Sequence, residues 1–167
     1  LYRKVASGRR KSSKAGAGGQ GEKVPDPAIS LEDLKQRLET EFPEPFRPGG
    51  SLSIVRIAHG EAQLRYAFHP RSLRPGGTIS GPTIMILADS AMYVAILASI
   101  GWVPLAVTTN LSIHFFKKPG PRALDAQCRL LKLGKRLAVG EIAIRSEGED
   151  ELAAHAVSTY SIPPNLR

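Results

Sequence analysis

Apolar residues recur at Leu31, Leu34, Leu38 and Phe42, the spacing of one helical face, which predicts a short amphipathic helix over 29–42. Ser30 stands at the N-cap position, and Asp33 three residues on sits where a capping box needs its acid. The run PEPFRPGG (43–50) breaks that helix. Alternation of apolar and polar residues then takes over in SLSIVRIAHGEAQLRYAFHP and predicts two strands, about 51–58 and 61–68, joined as a hairpin at His59-Gly60. Thr83 to Ser99, TIMILADSAMYVAILAS, is apolar nearly all round, the mark of a helix enclosed by the fold. Its 17 residues span roughly 26 Å, short of the ~20 apolar residues a membrane crossing wants, and Gly101 and Pro104 stop it. Four strand-like runs follow, at 105–119, 123–134, 136–148 and 151–163, separated by Pro-Gly-Pro, Gly134-Lys135 and Glu-Gly-Glu-Asp. The pattern predicts an α+β domain over 29–167 in which an antiparallel sheet wraps around one long helix.

One residue disturbs that pattern. Asp89 lies in the middle of the most apolar helix, directly after a Gly/Pro-rich turn, GGTISGP. Burying a carboxylate without a partner costs several kcal/mol in effective terms, so a carboxylate here has a use. It either serves chemistry or pairs with a neighbour, for which Arg74 is a candidate.

Composition refines the picture at the N-terminus. The net charge of +8 suggests a nucleic-acid binder, but residues 1–24 carry +6 of it, leaving the remainder close to neutral. The Gly/Ser/Ala/Lys/Arg-rich segment 1–28 has almost nothing to bury and reads as a disordered basic tail. It begins with Leu and has the Arg/Ser-rich character of a transit peptide without a convincing amphipathic helix, and no secretory h-region follows its basic residues. A basic-surface argument for nucleic acid would rest on that tail alone, so no nucleic-acid partner is expected. The one cysteine, Cys128, excludes an internal disulfide framework and suits a reducing compartment, with the cytoplasm as the expected location. Histidines 59, 69, 114 and 155 have no ligand spacing, and no metal site is expected.

The turn and helix carry a resemblance. Arg74-Pro75-Gly76-Gly77-Thr78-Ile79-Ser80-Gly81-Pro82, followed by Leu87-Ala88-Asp89, resembles the motif of hotdog-fold thioesterases of the phenylacetate-degradation type. That family motif reads Asn, two residues, Gly, two residues, His-Gly-Gly, then a helix bearing Leu-Ala-Asp. Arg74 stands where the family often has Asn, Ser80 where it has His, and Pro82 where it has the second Gly. The resemblance covers about 50–162 and implies a hotdog fold.

By resemblance, Asp89 is the catalytic acid of a thioester hydrolase, attacking the carbonyl or activating a water against it. Gly81, read as the cap before Pro82 at the first helical position, would aim its N–H at the developing oxyanion. Ser80 could offer its hydroxyl to substrate or water, though a Ser before Gly-Pro also reads as a cap or turn residue. Thr108 and Thr109 lie where the family supplies a hydroxyl that orients the water, and equally read as strand-forming residues. Arg74 and Gly77 belong to the substrate-binding turn. Lys117, Lys118 and Arg136, with Arg129, could hold the phosphates of coenzyme A or be solvated strand ends. Met85, Met92 and Tyr93 are expected in the acyl pocket wall.

The implied activity is hydrolysis of an acyl-CoA by a homodimer or homotetramer, with no cofactor and no membrane partner. The alternative is a hotdog protein that binds acyl-CoA or an acyl carrier without hydrolysing it.

Overall fold

A computed structural model describes residues 25–164, so the basic tail over 1–24 lies outside the described residues. At Ala28 the chain is already tied to the fold, its N–H donating to the Ala98 carbonyl at 2.7 Å. Helix α1 (Leu31–Glu41) starts where Ser30 accepts from the Asp33 N–H at 3.0 Å, while the Ser30 hydroxyl donates back to the Asp33 carboxylate. Its apolar face buries Leu34 and Leu38. The following PEPFRPGG run is not bare loop. It contains a single helical turn, α2 (Pro43–Phe46), because proline at a first helical position has no N–H to satisfy and already holds a helical φ.

Strands β1 (Leu52–Ala58) and β2 (Glu61–Tyr66) form the expected hairpin. A small antiparallel pair, β3 (Leu73–Arg74) and β4 (Thr78–Ile79), then shapes the glycine turn. That turn is pinned from outside: the Thr78 hydroxyl and the Ile79 N–H both donate to the Pro119 carbonyl, at 2.9 and 3.0 Å. Helix α3 (Gly81–Ile100) comes next, and then four long strands, β5 (Val107–Phe115), β6 (Leu124–Leu133), β7 (Leu137–Ser146) and β8 (Leu152–Ser161). The large sheet has the order β1-β2-β6-β7-β8-β5, antiparallel at every pairing.

The sheet holds α3 against one face. Leu64, Leu124, Ala126, Ile142, Ile144 and Ala156 point inward and meet Leu87, Ala91, Val94 and Ala95 of the helix, all buried. Packing is tight at Gly140 of β7, where an added Cβ would lie 2.6 Å from the Met92 sulfur and 3.1 Å from the Arg129 carbonyl. Met92 therefore belongs to the core rather than to a pocket wall. Cys128 is buried beside it, and that burial pushes the thiol up to about 12.

α3 runs for 20 residues, longer than the pattern alone predicts, and is apolar enough by length and composition to cross a membrane; two thirds of that segment is buried inside the fold. It is not enclosed all round. Pro82, Met85 and Ile86 are exposed, and Asp89 and Tyr93 are half-buried. Their three- and four-residue spacing makes one stripe that the sheet does not cover.

Candidate active site

Asp89 opens onto this uncovered stripe, and its carboxylate is held from β5 and β8. The Thr108 hydroxyl donates to Oδ1 at 2.7 Å, and the Tyr160 hydroxyl donates to the same oxygen at 2.7 Å. Thr108 and Tyr160 are register partners in the β5–β8 pairing, so their side chains leave the sheet on the same face. Immediately after Thr108 the register shifts, with Thr109 as the extra residue of a bulge. Thr109 is turned to a different task, its hydroxyl donating to the Thr159 carbonyl at 3.1 Å. Among the described residues Asp89 has no cationic partner, and Oδ2 receives no hydrogen bond; pairing with Arg74 does not occur.

Tyr160 is the functional neighbour that sequence reasoning missed. Its ring is 3% exposed, so its hydroxyl needs a buried partner, and it finds the Asp89 carboxylate. Burial, and then the negative charge of Asp89, push this phenol well above the ordinary tyrosine range, so it remains a donor. Alternation along 151–163 marks position 160 as inward-facing, but not as a partner of Asp89.

The carboxylate sits at the side of a cleft of about 450 Å³. Phe42 and Pro45 from the α1–α2 segment form one wall, with Trp102 and Pro104 from the α3–β5 connection, and Ile86 and Tyr93 from α3. The aromatic rings contact one another: Phe42 meets Tyr93 edge-on at 6.4 Å, and Tyr93 stacks on Tyr160 at 6.3 Å. Tyr93 is in the wall as expected, whereas Met85 is not.

The start of α3 presents one free donor. Ser80 is the cap, one of the two residues the sequence offered for that role, and Gly81 is the first helical residue: the Ser80 hydroxyl accepts from the Thr83 N–H at 3.4 Å and its carbonyl accepts from the Ile84 N–H at 3.3 Å. Pro82 has no N–H. Of the four N–H positions that open a helix, Gly81 alone is left with a donor that has no acceptor among the described residues. Eight residues separate Gly81 from Asp89 along α3, about 12 Å by helical rise. The two groups cannot act on one carbonyl within a single chain.

The expected phosphate ligands do not converge. Lys117 is held by Glu149 at 2.8 Å and Glu151 at 3.2 Å. Lys118 is exposed beside it, and Arg136 lies in the β6–β7 turn at the other end of β8, roughly 30 Å away by strand rise. Arg129 is bound to Glu141. Arg74 is exposed on β3, and Gly77 lies in the β3–β4 turn with a positive φ of 71°.

Comparison with known proteins bears on this arrangement. The model of the thioesterase superfamily matches residues 76–153, from the glycine turn to the start of β8. The crystal structure of a candidate thioesterase from Silicibacter sp. TM1040 is 44% identical with a TM-score of 0.75, over 87% of this chain and 97% of that one. The chain belongs to the thioesterase superfamily. A point mutant of the phenylacetic acid degradation protein PaaI from Thermus thermophilus superposes with a TM-score of 0.60 at 25% identity, covering 68% of this chain and 94% of that one. A candidate esterase from Saccharolobus solfataricus is 28% identical over 138 residues, 81% of this chain and 87% of the other. The sheet around α3 is thus the bun of a hotdog fold, and this superfamily member is a hydrolase of the thioesterase type.

Proposed function

We propose that the chain is an acyl-CoA thioesterase in which Asp89 is the base or nucleophile and the Gly81 N–H polarises the thioester carbonyl. The observation that carries this reading is the Asp89 carboxylate, held at Oδ1 by two hydroxyls with Oδ2 left for chemistry at the side of an apolar cleft. In the water route, Oδ2 takes a proton from water as the hydroxyl oxygen bonds to the carbonyl carbon. The electron pair moves to the carbonyl oxygen, which accepts a hydrogen bond from Gly81. Collapse breaks the C–S bond, and the thiolate leaves with the proton from Asp89. One preorganised donor at the oxyanion contributes about 2.7–4 kcal/mol in such chemistry. Thr108 serves here by holding Asp89, and Ser80 serves by capping.

The 12 Å between Gly81 and Asp89, about eight residues of helical rise, requires a second copy. β5 ends the sheet, and Leu105, Val107, Phe115 and Phe116 are exposed along it beside Ile86. A long apolar edge strand is a pairing surface. The Gly81 Cα hydrogen facing Phe115 is close enough that a Cβ would touch its ring at 3.6 Å, while Asp89 is bonded to Thr108 at the other end of the same strand. Antiparallel pairing of two β5 strands about a two-fold axis between positions 111 and 112 sets the Phe115 end of each against the Thr108 end of the other. That pairing carries the Gly81 of one copy to the Asp89 of its partner, and makes a homodimer the smallest complete enzyme. The cytoplasm suits a chain whose one thiol is buried and unpaired.

Asp89→Asn tests the assignment. The amide oxygen can still accept from Thr108 and Tyr160, so folding should hold. Turnover of a panel of acyl-CoAs, followed by thiol release, should fall by at least about two orders of magnitude. Full thiol release by the folded variant would remove Asp89 from the chemistry, and binding without release by the wild type would favour the non-hydrolysing alternative.

A further inference from the structure

A second groove, of about 490 Å³, lies on the other side of Ile86 from the Asp89 cleft, and Ile86 lines both. Its walls carry Arg47, His69 and Arg71, with Glu44 the one acid, and the half-buried ring of Phe68 forms part of its surface. Arg56, Arg65, Arg122 and Arg129 are each paired with a carboxylate. Arg47 and Arg71 have no carboxylate partner among the described residues, a condition they share with Arg37, Arg74, Arg136 and Arg145, but these two line one groove together with a histidine.

The backbone fixes both guanidinium roots. The Gly50 N–H donates to the Arg47 carbonyl at 2.7 Å, and a Cβ at Gly50 would fall 2.7 Å from that oxygen, so the Arg-Pro-Gly-Gly turn closes only with glycine there. On the opposite wall the Arg71 N–H donates to His69 Nδ1 at 3.1 Å. With Nδ1 accepting, the neutral ring carries its proton on Nε2, a further donor. Thr83 and Asp89 both belong to α3, six residues apart, about 9 Å. That distance is within the reach of an extended pantetheine arm, and Ile86 lines both cavities.

We propose that this groove binds the nucleotide of coenzyme A, with Arg47, Arg71 and His69 on its phosphates and Phe68 against the base. This rests on the acyl-CoA reading above. It stands in place of Lys117, Lys118 and Arg136, which do not converge within one chain. Two guanidinium groups that no carboxylate holds among the described residues can give charge-assisted, forked hydrogen bonds to phosphate.

Calorimetric titration with adenosine 3′,5′-bisphosphate tests the groove without any turnover. The wild type should bind, more weakly as salt rises. Arg47→Gln and Arg71→Gln should each weaken binding several-fold and together by about tenfold or more, with unchanged thermal midpoints as expected for exposed side chains. Equal binding by the double variant, or no binding by the wild type, overturns the proposal. Kinetics then separate it from the reading beneath it, using one acyl group on coenzyme A and on N-acetylcysteamine, which lacks every phosphate. The double variant should lose about ten times more kcat/KM on the first than on the second. Equal losses overturn the groove while leaving hydrolysis in place. A wild type that cleaves neither thioester, yet binds the bisphosphate through the two arginines, overturns the thioesterase reading and supports the groove.

Discussion

Thr108 and Tyr160, register partners on neighbouring antiparallel strands, donate their hydroxyls to the same oxygen of Asp89, each at 2.7 Å. Two donors on one carboxylate oxygen fix the side-chain rotation and leave the other oxygen facing outward. On the proposed chemistry, positioning of this kind acts on the rate of the chemical step rather than on substrate capture.

Tyr160→Phe removes one of those donors and nothing else of comparable size. The expected result is a fall in kcat of about tenfold, the scale of one hydrogen bond to a charged group, with KM little changed. The same variant reports on alkaline stability. The folded-state value of Tyr160 is raised above its unfolded value, so its contribution is fully present below about pH 10 and is lost as pH rises toward the folded value. Urea midpoints followed upward from pH 9 should therefore fall more steeply for the wild type than for Tyr160→Phe.

Exchanging two neighbours at the start of α3, as Gly81→Pro with Pro82→Ala, moves the one missing N–H from position 82 to position 81. Proline is favoured at a first helical position, and Ser80 before it already has φ −70° and ψ 148°, the extended conformation that proline demands of its predecessor. Thioester turnover should drop by about two orders of magnitude with the thermal midpoint within a few degrees of wild type. Retained turnover would mean that Gly81 is not the oxyanion donor.

Gly140→Ala places a methyl group 2.6 Å from the Met92 sulfur and 3.1 Å from a backbone carbonyl, where β7 packs against α3. The helix or Met92 has to move. A loss of about 1–3 kcal/mol in urea unfolding is expected, the usual cost of overpacking.

Charging the free edge should separate assembly from folding. Val107→Glu with Phe116→Glu puts two acids onto side chains that are 55% and 61% exposed in the single chain. Light scattering should report a monomer with an intact circular dichroism spectrum and no thioester turnover. A fully active monomer would show that one chain contains the whole site.

Much of this was legible in the chain itself, for identifiable reasons. The hairpin, the helix and the closing strands follow from periodicity, and Asp89 stands out because an acid interrupts an otherwise apolar helix. The sequence left two candidates for the cap because Ser80 and Gly81 are both good capping residues and proline is tolerated at either of the first two helical positions; only the bonds to Thr83 and Ile84 decide for Ser80. Tyr160 and the cleft were out of reach for another reason. Tyr160 lies 71 residues from Asp89, and Phe42, Trp102 and Asp89 meet only through tertiary packing, which local pattern does not encode. Lys117 looked like a phosphate ligand because its partners, Glu149 and Glu151, arrive from a distant turn.

The eight-residue spacing along α3 has a genetic consequence in the proposed pair. Each subunit gives its acid to one reaction centre and its amide donor to the other, so each centre of a dimer draws on both polypeptides. A chain defective only in the acid and a chain defective only in the donor, each inert as a homodimer, together compose one centre with both lesions and one with neither. Harm from either allele is then partly relieved by the other, a form of complementation that a self-contained site could not support.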